Sequence, residues 1–263
     1  MVEFHAEMAC FKEVKLMSGH SKWHNIRLRK GKQDAVRGKL FTRIAKEIII
    51  ATQSGGGSID TNVRLRMAVQ TARQNSMPSE NIKRAIQRGT GEIGGGNLEE
   101  VTYEGYGHGG VAIIVDCLTD NRNRTYPEVR SIFGKGGGRM GESGSVSYMF
   151  AQKGIMLIEA GVTTEELLME VAIDAGAEDV VSTDDGGFEI MTAFNDFAAV
   201  RDALDGAKIT YASAEITRIP ATSVQLDAHE EEQFLKLIDK LEENDDVQNV
   251  HHNCELSDEA MDE

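Results

Sequence analysis

Residues 154–212 read GIMLIEAGVTTEELLMEVAIDAGAEDVVSTDDGGFEIMTAFNDFAAVRDALDGAKITYA, and the order of their apolar periods decides the fold. Alternation predicts a strand over Gly154–Glu159, and three- and four-residue steps predict a helix over Thr163–Ala175. Glu178–Ser182 and Phe188–Thr192 read as strands joined by a hairpin turn at Thr183–Gly187. A second helix, capped by Asn195 or Asp196, runs to Leu204, and Lys208–Ala212 reads as a closing strand. Thr163 with Glu166 three residues on has the spacing of a capping box. The resulting order, β-α-β-β-α-β, is that of a ferredoxin-like unit.

The flanks supply two halves of a similar unit. On one side Val101–Glu104 and Val111–Leu118 read as strands around the turn Gly105–Gly110. Asn123–Gly134 follows as a helix, and a glycine-rich loop, Gly134–Gly144, leads to a strand at Ser145–Phe150. On the other side stand a strand at Glu215–Ile219, a helix over 228–242 and a strand at Val247–His251. Residues 153–212 are therefore expected as a unit inserted into a domain made of 98–150 plus 213–256. Further out, 18–90 carries three helical patterns, Ala35–Ser54, Thr61–Asn75 and Ser79–Arg88, with Gly89 as a stop. The stretch GTGEIGGGN at 89–97 is the clearest linker. Residues 1–17 read as a disordered extension with Met17 as an alternative start, and 257–263 as an acidic tail. The expected class is α+β: an N-terminal three-helix domain followed by two ferredoxin-like α/β domains, one inserted in the other.

Charge is distributed unevenly. The chain carries a net −15. Residues 18–90 nevertheless hold 15 Lys/Arg against 4 Asp/Glu, and 91–263 hold 11 against 36. In 18–46, Lys22, Arg27, Arg29, Lys30, Lys32, Arg37, Lys39, Arg43 and Lys46 face one carboxylate, Asp34, and surround Trp23, the only tryptophan. Solvated faces usually mix both signs. A block this one-sided points to a polyanion gripped by one end of the molecule. Trp23 is placed either to stack on a base or to pin the arm to the helices. Arg64, Arg66 and Arg73 on the second helix widen the same surface.

Other motifs are weaker. GYGHGG at 105–110 matches G-x-G-x-x-G, but the following residues, VAIIVDCL, form a strand, so no dinucleotide site is expected. GKGGGR at 134–139 lacks the order of a phosphate loop and reads as a mobile loop whose Lys135 and Arg139 are within reach of RNA. NRNRT at 121–125 opens a helix with sound capping residues, and Arg122 and Arg124 make that turn a candidate second contact. His251, His252 and Cys254 lack a fourth partner at metal spacing, so no metal is expected. Three cysteines, Cys10, Cys117 and Cys254, give no disulfide framework and favour a reducing compartment. No apolar run is long enough to span a membrane. No catalytic motif emerges, and neither an enzyme nor a cofactor is expected.

The segments SGHSKWHNIRLRKGKQDAVRGKLFTRIAKEI, NSMPSENIKRAIQRGTG, EEVTYEGYGHGGVAIIVDCLTDNRNRTYPEVRSIFGKGGG and GSVSYMF resemble, in order, the YebC/PmpR family of probable transcriptional regulators. The similarity runs from about Met17 to Leu256. It implies a cytoplasmic bacterial protein with a helical N-terminal domain and two α/β domains. It also implies DNA-binding regulation of transcription. Other members, a mitochondrial relative among them, act as translational activators on ribosomes that stall. By position, the family's basic opening falls on His20, Lys22, Trp23, Arg27, Arg29 and Lys30, and its Arg-rich turn on Asn121, Arg122, Asn123 and Arg124.

The expected partner is nucleic acid, either DNA or ribosomal or transfer RNA, with no membrane and with a monomer plausible. The expected contacts are those arm residues with Lys32, Arg37, Lys39, Arg43, Arg64, Arg66, Arg122 and Arg124. A third expectation, of another class, makes the paired α/β domains a small-molecule or partner-binding module with the basic head secondary.

Overall fold

A computed structural model describes residues 34–94, 97–183 and 185–257, with side chains of the first helix from residue 38 onward. The arm residues His20, Lys22, Trp23, Arg27, Arg29, Lys30 and Lys32 lie outside the described residues, as does the Arg37 side chain. So do the expected extension and most of the expected tail.

Helices α1 (Asp34–Gly55), α2 (Val63–Gln74) and α3 (Ser79–Gly89) form the N-terminal layer. Ile44, Ile48, Ile49 and Ala51 of α1 pack on Leu65, Ala68, Val69 and Ala72 of α2 and on Ile82 and Ala85 of α3. Asn62 joins the first two helices. Its Oδ1 accepts from Leu65 N–H at 3.0 Å as the cap of α2, while its Nδ2 donates to Ala51 O at 2.7 Å and Gly56 O at 2.8 Å. Buried backbone groups at a helix end need such partners. Gly89 does more than end α3. A Cβ there would stand 2.5 Å from Thr52 Cβ, so its bareness sets how closely α3 approaches α1.

Strands β1 (Glu99–Tyr106) and β2 (Ala112–Thr119) form a hairpin, followed by α4 (Arg122–Lys135) and the short β3 (Arg139–Met140). Next come β4 (Phe150–Ile158), α5 (Glu165–Asp174), β5 (Ala177–Ser182), β6 (Phe188–Ala193), α6 (Phe197–Gly206) and β7 (Ser213–Pro220). The chain returns through β8 (Val224–Gln225), α7 (Ala228–Glu242), β9 (Val247–His252) and β10 (Cys254–Glu255). One antiparallel sheet has the order β3-β1-β2-β9, and another has β5-β6-β4-β7. The molecule is α+β, with N-terminal helices followed by two sheet domains. Helices α4 and α7 cover the first sheet, where Val129, Phe133, Phe234, Leu237 and Ile238 pack on Val111, Ile113, Val115 and Val250. Helices α5 and α6 cover the second, where Leu168, Phe197, Val200 and Leu204 pack on Met156, Ile158 and Ile190. Each such side chain contributes roughly 1.5–3 kcal/mol on burial.

The second sheet has the strand order of a ferredoxin-like unit, but its last strand is not the one expected. Lys208–Ala212 is not a strand; Lys208 has φ of 59° and Ile209 is buried beneath the helices. β7 takes that place and pairs with β4 from Phe150↔Pro220 to Leu157↔Ser213. Glu215–Ile219 therefore belongs to the inserted sheet and not to the outer one. The strand expected at Ser145–Phe150 is also absent, because Glu104 captures that backbone. Its carboxylate accepts from Gly144 N–H and Val146 N–H at 2.7 Å and from Ser147 N–H at 2.8 Å. Burial disfavours the Glu104 charge, and those three bonds more than offset this and lower its pKa. The segment turns through a short helix at Ser147–Met149, and β4 begins only at Phe150. The outer sheet thus has the β1–β2 hairpin at its centre with β3 and β9 at its edges, and does not repeat the inner connectivity. The cap of α5 is Thr164, not Thr163, and its hydroxyl accepts from Leu167 N–H at 3.4 Å, one residue out of register for a capping box.

Gly154, in the central strand β4, faces Phe197 so closely that a Cβ would collide with that ring and with the Thr192 hydroxyl. Gly154→Ala is expected to destabilise the protein by about 1–3 kcal/mol through overpacking, measurable as a lower urea midpoint with an unchanged slope.

Candidate nucleic-acid interface

The helical layer brings its cations to two different fates. Lys39, Arg43 and Lys46 recur at helical steps on α1 and face the end of α7. Lys39 Nζ donates to Glu243 O at 3.2 Å, Arg43 Nη2 to Glu242 O, and Lys46 Nζ to Asp245 O at 2.8 Å and Leu118 O at 3.1 Å. A helix C-terminus presents unsatisfied carbonyls and partial negative charge, so cations settle there. Lys46 also meets Asp246 Oδ1 at 2.7 Å. On its other side Asp246 Oδ2 accepts from Arg124 at 2.7 Å, Thr125 Oγ1 at 2.8 Å and Thr119 Oγ1 at 3.2 Å. Burial would raise the Asp246 pKa, but the bonds from Arg124, Lys46 and Thr125 prevail and hold it at about 2. This carboxylate is the hub between the helical layer and the first sheet.

Other expected contact residues also have internal partners. Arg64 bonds Glu47 at 2.8 Å and Glu100 across the linker. Burial works against its charge, and the two carboxylates outweigh that and raise its pKa. Arg66 Nη2 reaches Asp60 O at 3.1 Å but remains exposed. Arg124 adds Asp120 at 3.0 Å. Arg122 Nε lies 3.7 Å from Glu99 Oε2, and both side chains are more than half exposed.

What remains is a set of cations to which the sequence reading gave no individual role, apart from Arg73. Arg73 at the end of α2, with Lys83, Arg84 and Arg88 on α3, are exposed. Among the described residues none of them lies within ion-pair distance of a carboxylate. The signal was present in ENIKRAIQR: Ile82, Ala85 and Ile86 mark the inner face, which leaves Lys83, Arg84 and Arg88 outside.

The turn at 121–125 forms a second feature. Asn121 caps α4, its Oδ1 accepting from Asn123 N–H at 3.1 Å and Arg124 N–H at 3.3 Å. Beside it an open groove of about 460 Å³ is lined by Val101, Tyr103, Arg122, Asn123, Tyr126 and Pro127. The rings of Tyr103 and Tyr126 meet edge to face at 6.0 Å and 60°.

The glycine motifs have structural roles. A Cβ at Gly105 would lie 2.6 Å from Arg139 O, and one at Gly138 would lie 2.7 Å from Tyr106 O. The two glycine-rich turns therefore pack against each other, with the Arg139 guanidinium 5.3 Å from the Tyr106 ring centre. GYGHGG leads into β2 and not into a helix. His251 is buried 3.3 Å from Asp116, and no group of His, Cys, Asp and Glu suited to a metal occurs among the described residues. Burial pushes the Cys117 and Cys254 thiols up to about 12, which suits buried packing and not nucleophilic chemistry. No helix among the described residues is long and apolar enough to cross a membrane.

Comparison with known proteins agrees with this architecture. A protein of Idiomarina loihiensis called a probable transcriptional regulatory protein is 49% identical over 93% of this chain and 98% of its own length. One of that same designation from Caldanaerobacter subterraneus is 53% identical over 92% of this chain and 100% of its own. The crystal structure of a conserved hypothetical protein from Aquifex aeolicus superposes with a TM-score of 0.78 at 45% identity, covering 86% of this chain and 93% of that one. Residues 21–92 match the TACO1/YebC protein N-terminal domain, and 98–254 match the TACO1/YebC second and third domain. The helical layer, the two sheets and these matches together place the chain in the TACO1/YebC family.

Proposed function

We propose that this protein is a non-enzymatic regulator of gene expression that binds nucleic acid through its N-terminal helical domain, as a DNA-binding regulator of transcription. The observation that carries this reading is the exposed set Arg73, Lys83, Arg84 and Arg88, which meets no carboxylate among the described residues, in a domain whose sequence also holds the basic stretch 18–33. In a chain of net −15, a cationic end directs a polyanion to one surface while the acidic remainder repels it. The names of relatives as probable transcriptional regulatory proteins support the choice of DNA. A second reading, a ribosome-associated translation factor using the same surface on RNA, is favoured by the groove at the α4 turn, where the exposed Tyr126 ring suits stacking on an unpaired base.

The test is binding of the full chain to duplex DNA and to structured RNA across a salt series. Four phosphate contacts alone give a slope of log K against log salt of about −3.6 on B-DNA, at about −0.9 per contact. Tighter binding to RNA at every salt concentration selects the second reading. Absence of binding to either at low salt refutes both.

A further inference from the structure

Resting on the nucleic-acid reading above, we propose that the groove between β1 and the start of α4 is a stacking site for one unpaired nucleobase of a strand, with Arg122 holding the adjoining phosphate. Three observations converge on it. First, Tyr126 is 45% exposed, and its ring packs edge to face with that of Tyr103, which is itself buried. A large ring left open to solvent and supported by a second ring is a platform on which a base can stack. Second, Arg122 is only loosely engaged. Its partner Glu99 is 3.7 Å away and both are well solvated, so water and salt screen the pair and a phosphate can replace the carboxylate. Its neighbour Arg124, by contrast, is committed to Asp246 at 2.7 Å. Third, the exposed Asn123 amide stands on the groove wall, where it offers both a donor and an acceptor to a base edge. Apolar Val101 and Pro127 complete the lining, so a flat aromatic guest with a charged margin fits the chemistry of the walls.

The geometry selects against a duplex. Stacked, paired bases have both faces covered, so only a base from a loop, bulge or single-stranded end can lie on Tyr126. The groove is also next to the linker that joins it to the helical layer, since Arg64 of α2 reaches Glu100 on β1, one residue from Val101.

The experiment uses the full chain and two RNAs of one sequence family, a hairpin with an unpaired loop and a blunt duplex of matched length, with adenosine monophosphate as a third ligand. Tyr126→Ala is expected to weaken hairpin binding about tenfold to a hundredfold, the range of base–aromatic stacking, and to leave duplex binding unchanged. Tyr126→Phe is expected to retain hairpin affinity, which separates stacking from any general loss of structure. Arg122→Gln is expected to make the hairpin salt slope shallower by about 0.7. Equal losses on hairpin and duplex, no loss on either, or saturable binding of the free nucleotide without preference for the hairpin each overturn the proposal. If binding persists in Tyr126→Ala but disappears when the α3 cations are removed, this site falls while the nucleic-acid reading stands. If neither RNA nor duplex DNA binds at low salt, both fall.

Discussion

Asp246→Ala is expected to lower the unfolding free energy by about 3–5 kcal/mol, the usual cost of removing one partner from a buried ion pair. The side chain is 7% exposed and is held between Lys46 and Arg124. Its loss leaves the Lys46 ammonium, 16% exposed, facing backbone carbonyls alone. The Thr119 hydroxyl loses its acceptor as well, and Thr125 loses one of its acceptors. The pH dependence follows from the depressed pKa. In the folded protein Asp246 titrates near 2, below the ordinary value of 3.8. Its contribution, roughly 2 kcal/mol by linkage, is therefore complete above about pH 4 and is lost as the pH falls toward 2. Urea unfolding at pH 7 and at pH 3 checks this: the deficit of Asp246→Asn relative to the parent should shrink at the lower pH. A deficit that is the same at both would show that the charge is not what holds the two layers together.

The second large effect concerns binding. Lys83→Ala, Arg84→Ala and Arg88→Ala together are expected to weaken nucleic-acid affinity by one to two orders of magnitude near 0.1 M salt. The salt slope on duplex DNA should become shallower by up to about 2.7, at about 0.9 per lost contact. Stability should change little, because these side chains are exposed and meet no carboxylate among the described residues. Lys39→Ala with Arg43→Ala is the informative contrast. Those two cations hold Glu242 and Glu243 carbonyls, so their loss should loosen the helical layer and leave the salt slope nearly unchanged. Fluorescence anisotropy over a salt series, with thermal unfolding of each variant, measures both. An unaltered slope in the α3 triple variant would remove those residues from the interface.

The contrast also shows what the chain reveals before it folds. The excess of positive charge at the front was legible because it is a local count. Which cations are spent internally was not, because the partners of Lys39, Arg43 and Lys46 lie about 200 residues away at the end of α7. Helices α1–α3 were legible from the spacing of Ile44, Ile48, Leu65, Ala68, Ile82 and Ala85, and the α4 cap from Asn121. Ser145–Phe150 was misread because alternation implies a ladder partner, whereas the Glu104 carboxylate takes those N–H groups. Lys208–Ala212 was misread because Ile209 and Tyr211 alternate like a strand but pack beneath the helices as a loop. The groove at Tyr126 gave no sequence signal, since Tyr103 and Tyr126 stand on separate elements that only the sheet brings together.

Strands β4 and β7 are adjacent for their whole length, with Phe150 opposite Pro220 and Ala221 N–H bonded to Met149 O at 2.8 Å. The inner sheet therefore leaves and rejoins its host at neighbouring backbone positions, like a cassette whose two leads are soldered side by side, and it also touches the host through Gln70–Tyr211 and Arg218–Asp116. The host's own halves need not stretch or shift to accommodate whatever is carried between those leads. Changes in the far loops of that cargo leave the leads in place, whereas changes at Tyr211 or Arg218 reach Gln70 of the helical layer and Asp116 of the first sheet.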